Sequence, residues 1–154
     1  MNALLAKLSQ NEKFIGGGSV AVVVGWILGQ VLGSHQTCAS YAGQQICSGF
    51  SVNYFTWGNA GLLAILALVA AVAAIVVLYL KISGSNVQWP MPVVQILLGL
   101  CAAALILAAL TVLIQFTNNL PDTPVLMYLA DVVLVGGAAV AAWGAYQEWL
   151  PTKK

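Results

Sequence analysis

Charge is what this sequence has least of. Only 6% of its 154 residues are charged, none is arginine, and histidine occurs once, at His35. A soluble domain carries ~25% charged residues, so a water-soluble enzyme of this length is excluded. With a formal net charge of +1 and no arginine, the chain lacks the basic footprint of a nucleic-acid binder, and no nucleic-acid partner is expected. It also lacks the polar composition of a disordered chain. There are three cysteines, no C-x-x-C pair, and no His/Cys/Asp/Glu group at metal-ligand spacing. No nucleophile–base pair can be assembled from what remains. The expectation is therefore a protein that is not an enzyme and has no metal or cofactor of its own. A lipid or pigment held between helices is left open.

Apolar residues fill the space that charge leaves, at 61% of the chain. A ~30 Å hydrocarbon core needs ~20 apolar residues in a helix. Four runs have that length, at 14–33, 58–80, 93–115 and 125–147. Strands of a membrane barrel would be shorter and would alternate apolar with polar residues, which these runs do not. The connections carry helix breakers: Ser83-Gly84-Ser85-Asn86, then Trp89-Pro90-Met91-Pro92, and Asn118 to Pro124 with Asp122 or Thr123 as a cap. Short links join antiparallel neighbours. The expected fold is all-α: a polytopic membrane protein in which residues 1–154 form one antiparallel four-helix transmembrane bundle with an outer loop at 34–57.

The lysines orient it. Lys7 and Lys13 precede span one, Lys81 closes span two, and Lys153 and Lys154 follow span four. Four crossings put all of them on one side, so the positive-inside rule makes both termini cytoplasmic in a cell membrane. Two competing readings concern the N-terminus. Residues 1–33 with a small-residue context at Ala39 have some features of a signal peptide, although the apolar run is long for one. Residues 2–12, with Leu4, Leu5 and Leu8 on one side, suit either a short interfacial helix or a frayed tail.

Small residues recur at i+4 in span one: Gly17, Ala21, Gly25, Gly29 and Gly33. Such a strip lets a second backbone come close, which is what drives helix association in lipid. It serves either internal packing or contact with other membrane subunits or a second copy. Span four has Gly136, Val140 and Gly144 on one side and Ala138, Ala142 and Ala145 on another. Two small faces on one helix suggest that one of them meets something outside the bundle.

Cys38 and Cys47 lie in the outer loop, where oxidation is permitted, and their spacing suits a structural disulfide better than a redox pair. Cys101 lies inside span three and is read as a small hydrophobe. His35 is read as a solvated interfacial side chain, and Tyr41, Phe50, Tyr54, Phe55 and Trp57 as an aromatic belt. Asp131 is the single ionisable residue inside a span. A carboxyl in hydrocarbon must be protonated, paired or watered, and is a functional candidate by default. Thr111, Gln115 and Gln30 are its expected hydrogen-bonding partners. Transporters ordinarily add a second acid, broken helices or repeated halves, and none is evident. The loop signature of claudin-like proteins and the C-x-x-C of disulfide oxidases are missing as well. The function expected is a structural or assembly subunit of a larger membrane complex or a homo-oligomer. A small proton- or cation-coupled transporter or channel component using Asp131 is the alternative.

Overall fold

The structure, a computed structural model, describes residues 8–32, 34–41, 44–51, 59–84, 87–117 and 125–150; for 34–51 and at 59, 125 and 126 it describes the backbone only. Among the described residues there are four helices, α1 (Gln10–Leu32), α2 (Asn59–Ser83), α3 (Val93–Thr117) and α4 (Val125–Trp149), with strands β1 (Ser34–Tyr41) and β2 (Gln44–Ser51) between the first two. All four helices are long and apolar enough to cross a membrane. The protein is a multi-pass helix bundle, as span length requires.

The helices outrun the apolar segments because local chemistry, rather than hydropathy, sets their ends. At the start of α1, the Ser9 N–H donates to Glu12 Oε2 at 2.7 Å and the Glu12 N–H donates to Ser9 Oγ at 3.2 Å. This reciprocal capping box draws Glu12 and Lys13 into the first turn. Those two residues therefore belong to the spanning helix itself, and residues 2–7 of the proposed interfacial segment lie outside the described residues. α2 stops where Gly84 takes φ +68°, the left-handed cap that glycine adopts without strain. The Pro92 carbonyl accepts from the Gln95 and Ile96 N–H groups, so the proline opens α3 as its position suggests. The expected cap at Asp122 or Thr123 lies outside the described residues.

Core residues fall in three layers that show how the helices run. Ile15, Ala74, Val77, Leu78, Leu97, Cys101, Ala141 and Ala145 make the first, at the end that carries Lys81. Val22, Ala67, Ala71, Ala108, Leu134 and Ala138 make the second. Ala64 and Met127 with Trp26 make the third, at the hairpin end. Residue numbers rise along α1 and α3 from the lysine end and fall along α2 and α4, so the bundle is up-down-up-down. Each helix packs on its chain neighbours and α4 returns to α1. Cys101 is a buried free thiol in the first layer, the small-hydrophobe role its position implies. Trp143, Tyr146 and Trp149 form a run of tilted ring pairs near the lysine end of α4, where aromatic rings mark a membrane boundary.

The closest pairing is α1 with α4. A Cβ built on Gly18 would stand 2.5 Å from both the Ala141 N and the Gly137 O, and one on Gly25 would stand 2.6 Å from the Leu134 N. From the other side, a Cβ on Gly137 would meet the Gly18 O at 2.8 Å, and one on Gly144 the Asn11 O at 2.8 Å. Backbone lies on backbone, with glycines from the two helices alternating along the seam. This corrects the i+4 strip. Gly17 is exposed with open space beside it, and Gly18 takes its place. Ala21 meets Gly137, Gly25 is in the seam and Gly29 is buried, while Gly33 lies outside the described residues. At about 100° per residue an i+4 row drifts about 40° each step, whereas a seven-residue step returns within about 20°. The seam therefore follows Gly18–Gly25 and Gly137–Gly144.

The two small faces of span four are corrected too. Gly144 packs on α1, and Ala138 and Ala145 are fully buried in the core. The internal neighbours α1 and α3 thus take Gly144, Ala138 and Ala145 from the two faces. Gly136 and Val140 are exposed, and Ala142 is half-buried.

At the lysine end three helices are tied by one cation. Lys81 Nζ lies 2.8 Å from Glu12 Oε1 and 3.2 Å from Glu148 Oε1, and Asn11 Nδ2 donates to Glu148 Oε2 at 3.3 Å. α1, α2 and α4 thus share an ion-pair network, partly shielded from solvent. Such a network counts for more than isolated surface pairs.

The expected open loop at 34–57 is largely a two-stranded antiparallel hairpin, with Cys38 and Cys47 directly opposed in register. Directly opposed residues have Cα atoms ~4.5–5.5 Å apart, inside the window a disulfide spans. The bond itself is not shown, because these side chains lie outside those described.

Gly18→Ala should destabilise the bundle by about 1–3 kcal/mol or more, since helix backbone must move to admit the methyl group. Gly17→Ala should stay within about 1 kcal/mol of wild type. Thermal unfolding in mild detergent measures both, and equal effects would refute the assigned seam.

Candidate functional site at the hairpin end

Polar residues inside the bundle collect at the hairpin end, and the core seam itself puts them there. On α3 the buried positions run Leu97, Cys101, Ala104, Ala108, Thr111, Gln115. These are alternating steps of four and three that keep one side of a helix on its neighbours. The last two are polar. Asp131 occupies the matching level of α4, between Met127 of the third layer and Leu134 of the second. It is only 3% exposed, so its side of α4 does look into the bundle. It lies six residues from the start of α4, about 9 Å along the axis.

The structure brings Thr111 and Gln115 of α3 and Gln30 of α1 to the same end as Asp131. The Thr111 hydroxyl donates 2.8 Å to the Leu107 carbonyl of its own helix, the usual satisfaction of a buried helical threonine. Neither amide atom of Gln115 has a hydrogen-bond partner, and Gln30 Nε2 has none. Thr111 and Gln115 share the seam of α3 and Gln30 belongs to α1, so their directions are set by two different helix seams. A buried amide without partners costs about 1–3 kcal/mol, so Gln115 is held there by the fold and contributes nothing to it.

A groove adjoins Asp131 on its outer side. It lies between α3 and α4, has a volume of about 610 Å³, and is lined by Val112, Phe116, Tyr128, Asp131, Val132, Val135 and Gly136. Gly136 makes its low wall, with nothing within 4 Å of where a Cβ would be. Phe116 and Tyr128 stack across α3 and α4 with ring centroids 5.8 Å apart and planes at 21°. Val132 on the rim is 69% exposed, so the groove opens sideways, towards whatever surrounds the bundle. The sequence pointed to Asp131 but not to the groove. Its only sequence signal is the Gly136-Gly137 pair: Gly137 is consumed by the α1 seam, and Gly136 faces away from it.

Chemically, this arrangement offers an apolar recess within the membrane-spanning length, with the buried Asp131 among its lining residues. Among the described residues no group of three His, Cys, Asp or Glu could hold a metal ion. His35 belongs to β1 and its side chain lies outside those described.

Gln115→Leu should leave stability unchanged or raise it by about 1–2 kcal/mol, because it replaces an unsatisfied buried amide with an apolar side chain of similar size. Detergent-solubilised thermal melts test this, and a clear loss of stability would mean that Gln115 makes a bond essential to the fold. No protein-family model matches the chain, and neither a curated protein nor a solved structure does.

Proposed function

We propose that the protein is a non-enzymatic integral membrane subunit with a structural or assembly role, packed through its helices into a larger membrane complex or a homo-oligomer. One observation carries this reading: after every internal contact is made, α4 still presents Gly136 and Ala139 outward, between exposed Val132 and Val140. In lipid, small outward positions are where another helix can come close. The closed core layers favour this over a conduit along the bundle axis. In this reading the bundle sits in a cell membrane, both termini and the Lys81 end face the cytoplasm, and a Cys38–Cys47 disulfide closes the hairpin on the other side. The lysine placement and the cysteine register support those assignments. A second reading, proton- or cation-coupled transport through Asp131, has the groove beside that carboxyl in its favour.

Purified in mild detergent at native expression, the protein should emerge with stoichiometric partner subunits or as a homo-oligomer, and Ala139→Trp should release a folded monomer. A monomeric wild type that conducts ions in liposomes, with the flux abolished by Asp131→Asn, would overturn the subunit reading in favour of transport. For the hairpin, Cys38 and Cys47 should resist alkylation in unfolded protein until a reductant is added. Labelling of both without reductant would rule the disulfide out.

A further inference from the structure

We propose that the β1–β2 hairpin is an interface with a second copy of this chain: the β2 edge of one copy pairs with the β1 edge of the next, extending two strands into a larger antiparallel sheet. This names the partner in the homo-oligomer form of the subunit reading and rests on that reading.

The hairpin is incomplete on its own. Among the described residues β1 and β2 form a sheet of two strands, and apart from a small contact with α1 the hairpin packs substantially only on itself. Two strands alone are marginal in water; a third strand or a helix to lie on makes a sheet stable. A Cys38–Cys47 bond would join the strands but leave both outer edges open. Exposed edges are ordinarily blunted by charge, by proline or by a bulge. Residues 34–51 contain no Asp, Glu, Lys, Arg or Pro, and the pairing runs from Ser34↔Ser51 to Tyr41↔Gln44 without a bulge.

Charge, length and direction together select a second copy as the occupant. Charge sets no barrier, since two such uncharged edges meet without repulsion. Length fits, because both strands have eight residues and β2 of one copy can pair with β1 of another from end to end. Direction decides which edges meet. β1 leads away from α1, and β2 leads back towards α2. Copies inserted in one membrane share an orientation, so β2 of one copy runs opposite to β1 of its neighbour and the antiparallel ladder continues. β1 on β1, or β2 on β2, would be parallel and would break it. The contact is therefore head-to-tail, the kind that closes into a ring when the rotation between copies allows.

Two measurements on the full chain test this. The first is amide hydrogen exchange across 34–51. In a lone antiparallel hairpin about half of the strand amides bond across the ladder, and the outward half exchanges freely. In the wild-type oligomer that outward half should exchange at least about tenfold more slowly than in the Ala139→Trp monomer. The second is photo-crosslinking in the native membrane, with p-benzoylphenylalanine placed at Gln45 on β2 and an epitope-tagged wild-type copy co-expressed. Crosslinks should reach residues 34–41 of the tagged copy. A wild-type oligomer in which the outward amides still exchange freely would overturn the hairpin interface while the subunit reading stands. Slow exchange without a crosslink to β1 of the tagged copy would also overturn it, since something other than a second copy would then cover the edge. A wild-type protein that is monomeric would overturn both. Should the Gln45 variant fail to fold, exchange in wild-type protein decides whether the edges are covered, and the same photo-crosslinker at Ser48 identifies what covers them.

Discussion

The rest of the bundle depends on how near α1 comes to α4. In water, apolar helices are pressed together because water excludes them; in lipid that force is absent and close packing takes over. Gly18 and Gly25 on one side, and Gly137 and Gly144 on the other, remove every side chain that would keep the backbones apart. Once that contact is made, the positions of the remaining helices follow. α2 brings an alanine-lined side, with Ala60, Ala64, Ala67, Ala71 and Ala74 all buried, and α3 closes the ring with the seam that ends in Thr111 and Gln115. The groove is the other face of the same fact. α4 turns one glycine of the Gly136-Gly137 pair into the seam and leaves the other over an open recess.

Much of the fold was legible because hydrophobic thickness is a length, and a length can be counted in a sequence. The four spans and the bundle follow from it. What failed was azimuth. An i+4 row of small residues looks like a stripe on paper, but on a helix it winds away from any fixed neighbour, and so Gly17 was placed where Gly18 belongs. The hairpin was missed for a different reason. Segments 34–41 and 44–51 are rich in Ser and Gln, and the β-forming Thr37, Tyr41, Ile46 and Phe50 are too sparse to make a clear strand pattern. The connection at Ala42-Gly43, two residues long with a glycine, was the available signal.

At the site, chemistry was more legible than geometry. One acid in an apolar span is conspicuous, and the polar residues at its depth can be counted off. Whether those residues touch it depends on the rotation of three separate helices. Thr111 turned to its own Leu107 carbonyl, and Gln115 was buried without a bond. The lysine-end network was hidden by sequence distance: Glu12, Lys81 and Glu148 each read as a boundary charge, and nothing local joins them.

That network also bears on the order in which the chain is made. Glu12 and Lys81 lie on α1 and α2, which are made before α4, and Glu148 lies near the end of α4. Lys81 can pair with Glu12 early, but its second carboxylate arrives only when α4 has been threaded back beside α1. Completion of the ion-pair network therefore coincides with the return of α4 to α1. A chain halted after α3 would leave Lys81 with one acid and the glycines of α1 uncovered, a half-built state that differs in both charge and surface from the finished protein.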